Sequence, residues 1–114
     1  MEIFDYENVL LLPRRCAVAS RRECDPSVEL GGHRFRLPVV PANMRTVVDD
    51  RICEWLAGHG YFYIHHRFDN DPLAFARRMR DQGLPVSLSV GVRESDRSLV
   101  DTLAAQGLGA DFLT

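Results

Sequence analysis

The sequence predicts an α/β fold of consecutive βα units, and three observations support that prediction. Four short apolar runs recur at regular intervals of about two dozen residues, the length of a strand, a helix and two loops, at 37–41, 61–64, 86–90 and 112–113. The runs are apolar on both faces, as strands buried in a parallel sheet are. Three segments with helical apolar periodicity lie between them. The predicted order is therefore β-α-β-α-β-α-β.

Each intervening helix begins at a residue suited to cap it. Thr46 is expected to cap the first helix, Asn70 or Asp71 the second, and Ser95 opens the third. Such side chains accept hydrogen bonds from the free amides of a first helical turn. Pro72 suits the first turn of the second helix. Glycines are expected to end the three helices, namely Gly58 with Gly60, Gly83, and Gly107.

Residues 1–36 do not follow this period and are predicted to form an N-terminal arm. An apolar run, VLLLP, precedes an arginine-rich polar stretch and two short alternating segments. Gly31 and Gly32, between those segments, favour a two-residue hairpin turn. The chain therefore divides into an arm with a small hairpin, 1–36, and the βα units, 37–114.

Two architectures accommodate consecutive βα units, the open doubly wound sheet and the closed (β/α)8 TIM barrel. The dinucleotide-binding open sheet carries G-x-G-x-x-G after its first strand, whereas this chain has A-N-M-R-T at 42–46. The barrel is therefore favoured. A barrel has eight units in about 250 residues, and this chain holds about three units and the start of a fourth strand. We accordingly expect the N-terminal part of a TIM barrel.

Composition argues against several functional classes. All 14 basic residues are arginines, and they are interleaved with 16 acidic residues to a net charge of −2, a balance that gives no support to nucleic-acid binding. No apolar stretch is long enough to span a membrane, and the N-terminus does not resemble a secretory signal, so a cytoplasmic location is expected. Cys16, Cys24 and Cys53 are odd in number and widely spaced, which argues against a disulfide framework and a zinc site.

Candidate binding residues follow the predicted strands, because the carboxyl ends of barrel strands carry the chemistry. Asn43 and Met44 follow the first strand and suit a ligand edge and a flat heterocycle. His65, His66 and Arg67 follow the second and suit a phosphate or a carboxylate. Adjacent residues of an extended segment point to opposite faces, so this histidine pair is not expected to bind a metal ion together.

The arm contains a second candidate site. Ser20 stands beside Arg21 and Arg22, a pattern suited to phosphate recognition, although a solvated surface is the commoner meaning of such a run. No nucleophile and base can be paired from spacing, and Cys53 is expected in the core. The residues alone therefore predict part of a ligand-binding βα barrel.

Several ordered motifs resemble the start of the family that contains IMP dehydrogenase and GMP reductase. They are FDYENVLL at 4–11 with Pro13, Ser20-Arg21, Cys24-Asp25, LPVVPANM at 37–44 with Thr46-Val47, and GYFYIHHRF at 60–68. The resemblance runs over essentially the whole chain. Most IMP dehydrogenases insert a tandem regulatory module before the third strand, whereas here 67–85 holds one helix, and A-N-M rather than A-A-M resembles the reductase.

The resemblance implies the reductive deamination of GMP by NADPH, giving IMP, ammonia and NADP in purine nucleotide interconversion. The family's nucleophilic cysteine would lie beyond residue 114, so no catalytic residue is assigned here, and none of the three cysteines present inherits that role. The family is a homotetramer, in which the arm reaches the cofactor of a neighbouring subunit.

The resemblance also assigns binding roles residue by residue. Ser20 and Arg21 match the arm dipeptide that contacts NADP, and Arg21 suits a phosphate. His66 occupies the position of a lysine that contacts the cofactor in animal enzymes, a departure that leaves the charge to Arg67. Asn43 and Met44 match the motif beside the nucleotide pocket, with Met44 lining the base.

Two alternatives remain open at this point. One is an IMP dehydrogenase without the regulatory module, which would run the opposite reaction with IMP and NAD. The other is a non-catalytic truncated fragment that associates only with intact subunits. On either the reductase or the fragment reading, the 114-residue chain alone is expected to be inactive.

Overall fold

The structure is a computed structural model that describes residues 5–114. Within these residues the chain forms three α-helices and two two-stranded sheets, which do not close into a barrel. The α/β class predicted from the sequence is thereby confirmed. Residues 1–4 of the predicted arm, including Phe4 of its first motif, lie outside the described part.

Residues 5–36 of the arm consist of irregular chain, two short 3-10 turns at Tyr6–Asn8 and Arg21–Glu23, and a hairpin. Strand β1, Val28–Leu30, pairs antiparallel with strand β2, His33–Phe35. Gly31 and Gly32 form the two-residue turn with φ of +56° and +79°. Two successive positive φ values are those of a type I′ turn, which matches the twist of the strands. The predicted hairpin is therefore confirmed.

The three helices follow the predicted order, and two of them begin at other residues than predicted. Helix α1 spans Asp50–Gly58, α2 spans Pro72–Asp81, and α3 spans Glu94–Ala105. Asp71 caps α2 by accepting a hydrogen bond from the Ala74 amide at 3.0 Å, as predicted. No helix in the described ranges is both long and apolar enough to cross a membrane.

Two predicted starts were wrong. Asp49, not Thr46, caps α1, because the 42–47 segment folds into its own turn, in which the amides of Val47 and Val48 donate to the Met44 carbonyl. Helix α3 begins at Glu94 rather than Ser95, with Arg93 preceding it and the Asp96 carboxylate accepting from the Arg93 amide at 3.0 Å.

The second sheet is parallel, and its residue Leu88 shares one apolar cluster with residues of the three helices. Strand β3, Ser87–Leu88, pairs with strand β4, Phe112–Leu113, and His65 forms an isolated parallel bridge to Leu88 on the other side. The predicted second strand at 61–64 forms no ladder in the described chain, only this bridge just after it. The 61–65 segment, β3 and β4 therefore lie side by side in chain order. That order is the one successive βα units produce.

The predicted first strand at 37–41 is not paired as a strand in the described chain, so that prediction was wrong. Pro38 and Pro41 lack an amide hydrogen, which removes two donors that a ladder needs. The chain that enters the 37–41 segment still runs beside the chain that enters the predicted second strand at 61–64, since the Arg36 amide donates to the Gly60 carbonyl at 2.8 Å.

Buried side chains join the helices to the parallel sheet. Phe75, Ala76 and Met79 of α2 are buried against Val86 and Leu88 in one apolar cluster. Cys53 and Ala57 of α1 and Leu103 of α3 belong to the same cluster. The predicted core position of Cys53 is thereby confirmed.

The hairpin packs at the amino ends of these strands. Phe35 of β2 contacts Phe62 and Phe112, with ring centroids 5.1 and 5.9 Å away. Gly31 sits so close to Phe112 that a Cβ would lie 2.8 Å from its ring. The opposite, carboxyl ends of the strands are left to the loops at 42–47, 66–70 and 91–93.

A buried tyrosine generates the first prediction. The Tyr63 hydroxyl donates to the Pro85 carbonyl at 2.7 Å and accepts from the Ser87 amide at 3.1 Å. Tyr63→Phe leaves both backbone groups without this partner inside the core, and we expect it to lower the free energy of unfolding by about 1–3 kcal/mol. Urea unfolding of the native protein measures this loss.

Tyr61→Phe is the matched control, at a half-buried ring beside Trp55, and should change stability by less than about 0.5 kcal/mol. Equal losses in both variants would contradict the role of the Tyr63 hydroxyl.

Candidate functional site

An open cleft lies just after the 61–65 segment, at the end of that segment where its chain leaves the sheet. We call it the His66 cleft; its volume is about 430 Å³. Its walls come from the loop before α1, the first turn of α1 and the loop after His66. The lining side chains are Arg45, Asp49, Asp50, Arg51, His66, Asp69 and Asn70. Arginine, histidine and amide groups supply donors in this cleft, and the carboxylates supply acceptors.

The loop at 66–70, which follows the 61–65 segment, shapes the cleft around His66. The His66 ring is nearly buried, with 6% of its surface exposed, and its Nδ1 accepts from the Phe68 amide at 3.2 Å. Asn70 Nδ2 donates to the His66 carbonyl. Asp69 has a φ of +47° and pairs with Arg45 at 2.5 Å, which joins this loop to the loop before α1.

His65 lies behind the cleft and is tied to both neighbouring helices. It is 1% exposed, and its Nε2 lies 2.7 Å from an oxygen of Asp50 in α1. Its ring stacks on Phe75 of α2, with centroids 3.9 Å apart and planes at 1°. Arg78 of α2 donates to the second oxygen of Asp50, and its Nε donates to Glu54 at 3.0 Å. One carboxylate therefore connects the buried histidine to an arginine on the surface.

Burial and hydrogen bonding determine the charges of Asp50 and His65. Burial would raise the pKa of the Asp50 carboxyl, but hydrogen bonds from His65 and Arg78 outweigh it and hold the pKa below the ordinary 3.8. Burial lowers the pKa of His65 below its ordinary 6.5, against the opposing effect of the Asp50 hydrogen bond. His65 is thus neutral and Asp50 ionised near neutral pH.

The two histidines do not point to opposite faces, which corrects the expectation from an extended backbone. Their ring centroids are 5.2 Å apart and their planes differ by 24°. The regular alternation ends here because the chain leaves the sheet after the His65 bridge and turns towards Asn70. No group of three or more metal-ligating side chains occurs among residues 5–114 as described.

The predicted substrate residues stand beside the cleft rather than in its wall. Asn43 is half-buried and Met44 is 55% exposed. The Met44 carbonyl accepts the amides of Val47 and Val48 at 2.8 and 2.9 Å, which fixes the turn that carries Arg45 into the cleft. Asn43 and Met44 therefore lie on the same loop as a lining residue.

The predicted arm residues lie in a separate turn. Ser20 Oγ accepts from the Arg22 amide at 3.3 Å, and the Ser20 amide donates to Glu23 at 3.1 Å, so these bonds close the 3-10 turn on itself. Ser20 and Arg21 are both exposed and do not line the His66 cleft. The described structure thus brings together His66 and the loop of Asn43 and Met44, and leaves Ser20 and Arg21 apart from them.

Sequence reasoning missed Asp50 and Asn70 as site residues. No prediction was made for Asp50, and Asn70 was predicted only as a possible helix cap. The paired acids Asp49 and Asp50 before a helix were the available signal, because one caps the helix and leaves the other free for a distant partner.

Comparison with known proteins confirms the resemblance that the motifs indicated. The chain is 66% identical over 114 residues to a GMP reductase of Leptothrix cholodnii, 60% identical to one of Acidovorax ebreus, and 54% identical to one of Oenococcus oeni. Each match covers all of this chain but only about 35% of the relative, so the chain spans about a third of the length of the proteins it matches. No family model matches the chain.

The cysteines generate the second prediction. Cys16 and Cys24 are exposed, whereas Cys53 is buried and burial raises its pKa to about 12 from 9.0, with nearby Asp50 adding to the effect. A thiol reacts as its thiolate. We therefore expect Cys53 in the native protein to resist maleimide labelling at pH 8 until the protein unfolds. Mass mapping of the labelled peptides measures this, with a urea-unfolded sample as the control, and rapid native labelling of Cys53 would contradict its placement.

Proposed function

We propose that this chain is the N-terminal part of an NADPH-dependent GMP reductase, which converts GMP to IMP and ammonia. The observation that carries the proposal is the 54–66% identity to GMP reductases over the whole chain. The structure supports the reductase over a dehydrogenase with a regulatory module, because α2 is the one helix in the described chain between Arg67 and Pro85.

The proposed reaction divides its groups between this chain and the rest of the protein. A cysteine attacks the purine carbon that bears the amino group, and ammonia leaves. Bound NADPH supplies the hydride that resolves the covalent intermediate. The attacking cysteine is expected beyond residue 114. The buried, high-pKa Cys53 and its place in the core support leaving it out of this role.

The residues of this chain suit a phosphate-bearing cofactor on two surfaces. Arg21 is exposed in a closed turn, and a guanidinium can bind a phosphate through two parallel hydrogen bonds, which gives a reason for NADPH over NADH. His66 and the adjacent Arg67 offer donors at the carboxyl end of the second segment. Ser20 holds the turn of Arg21 through its capping bonds.

Asn43 and Met44 are proposed to contact the nucleotide. The amide of Asn43 has both donor and acceptor atoms for a base or ribose edge. Met44 is exposed beside the His66 cleft and can lie against a flat purine with its polarizable sulfur. The fixed turn at 44–48 would hold both residues in place.

The arm supports a homo-oligomer, which we propose to be a cytoplasmic tetramer. Leu10 and Leu11 are 92% and 98% exposed, and Leu12 and Val9 extend the same apolar run. A contiguous exposed apolar segment marks a contact with other protein surface. An arm packed on a neighbouring subunit would carry Ser20 and Arg21 to the cofactor bound there.

The activity is tested directly with the native protein from its source. We expect oxidation of NADPH that depends on GMP and releases ammonia. The loss of NADPH absorbance measures this oxidation. Reduction of NAD with IMP, without GMP-dependent turnover, would instead establish a module-free IMP dehydrogenase. The isolated 114-residue chain serves as the negative control, and turnover by it would overturn the placement of the nucleophile.

Arg21 provides the third prediction. Arg21→Ala in the native protein should raise the KM for NADPH about tenfold to hundredfold, the cost of a lost charged hydrogen bond to phosphate. The KM for GMP should change little. Arg22→Ala is the matched control, since it removes the same charge from the next position of the same turn. Equal changes in both KM values for Arg21→Ala would remove Arg21 from the cofactor site.

A further inference from the structure

We propose that His65 is a positioning residue for the cofactor side of the His66 cleft. Held as the neutral Nε2–H tautomer between Asp50 and Asn70, it fixes the Asn70 amide, which in turn fixes the main chain of His66. This inference rests on the proposed function, because it assigns His66 to the cofactor.

The donors and acceptors around the ring determine the tautomer. A carboxylate oxygen of Asp50 lies 2.7 Å from His65 Nε2, and an ionised carboxylate only accepts, so Nε2 carries the hydrogen. Asn70 Nδ2 lies 3.4 Å from Nδ1, and an amide nitrogen only donates, so Nδ1 presents its lone pair. Both ring nitrogens are satisfied only in the neutral ring.

The orientation of the Asn70 amide follows from its second partner. The same Nδ2 donates to the His66 carbonyl, which only accepts. Turning the amide over would place its oxygen against that carbonyl oxygen. Asn70 can therefore serve His65 and His66 together only while Nδ1 of His65 is unprotonated.

Protonation of His65 breaks this arrangement. A hydrogen on Nδ1 would face the donor of Asn70, so Asn70 must either move away or turn over and release the His66 carbonyl. The ring cannot rotate out of the way easily, because it is buried and stacked on Phe75. The protonation state of His65 is thus coupled to the main chain that carries His66.

The charged groups around His65 come from every element packed against it. Asp50 from α1 favours the proton, whereas Arg78 from α2 and the adjacent His66 oppose it. Glu54 from α1 acts through Arg78, and Arg67 and Asp96 line a small cavity beside the ring. Burial is the largest effect and lowers the pKa, so the switch to the charged form occurs on the acid side of the ordinary 6.5.

The test is the pH profile of the two KM values in the native protein. We expect the KM for NADPH to rise below the His65 midpoint by at most about tenfold per pH unit, the limit for a single inhibitory proton, while the KM for GMP follows no such rise. His65→Gln cannot take this proton and should lose the acid rise. A merely structural role for His65 would leave the same profile in the variant, and that result would overturn the proposal.

His59→Gln is the matched control. His59 is an exposed histidine at the other end of α1, where Nδ1 lies 2.7 Å from the Trp55 carbonyl. It should keep the acid rise of the unsubstituted protein. Asn70→Asp is a second variant: its carboxylate cannot donate to the His66 carbonyl, so the KM for NADPH should already be raised at neutral pH and show no further acid rise. An unchanged pH profile would contradict the proposed contact.

A spectroscopic readout separates this proposal from the proposed function. Uniform ¹⁵N labelling reports the tautomer of His65 without any substrate, and it also reports the main chain through the amides of residues 66–68. We expect the Nε2–H tautomer at neutral pH and a shift of those amides at the His65 midpoint. The Nδ1–H tautomer, a charged ring at neutral pH, or amides that ignore the His65 titration would overturn the proposal, even if NADPH and GMP turn over as expected. If the protein fails to oxidise NADPH with GMP, the proposed function fails while the coupling remains measurable.

Discussion

The burial of the parallel strands is the constraint on which the rest of this structure depends. Polar groups on these strands are shielded from water, and the partners that they find lie on other elements. Within the described chain the buried Ser87 Oγ is the side-chain atom that finds no such partner. The Tyr63 hydroxyl joins the 61–65 segment to the Pro85 carbonyl and the Ser87 amide. The Asp111 carboxylate accepts from the Val86 amide at 2.7 Å and pairs with Arg80 of α2 at 3.1 Å. His65 reaches Asp50 of α1. Apolar packing holds the three helices against the strands, and these bonds join α1 and α2 to particular residues of the strand segments.

The sequence predicted what depends on local pattern and missed what depends on distant partners. Apolar periodicity identified all three helices, and two adjacent glycines identified the hairpin turn. The start of α1 was misplaced because Thr46 and Asp49 are both good caps, and only the turn at Met44 decides between them. The predicted first strand at 37–41 does not form in the described chain, because a strand requires a paired neighbour, which an apolar run does not specify. The bond between Asp50 and His65 joins residues 15 apart in the chain, and no periodicity reports it.

The two ends of the parallel strands have different roles. The hairpin and its aromatic contacts cover the amino end, with Phe112 packed against Phe35 and Phe62. The carboxyl end carries charged and amide groups in the loops around the His66 cleft. The apolar arm and the open edge of the sheet both present surface that a larger protein or another subunit would cover. The proposed nucleotide contacts lie at this carboxyl end.

Hydrogen exchange of the native protein with and without ligand tests this central claim most directly. The account predicts that GMP slows exchange at 43–48, and that NADP slows exchange at 20–23 and 65–70, while the core around Phe75 stays equally protected in all states. Protection confined to other parts of the chain, or no protection at saturating NADP and GMP, would contradict the account and remove these residues from the nucleotide site.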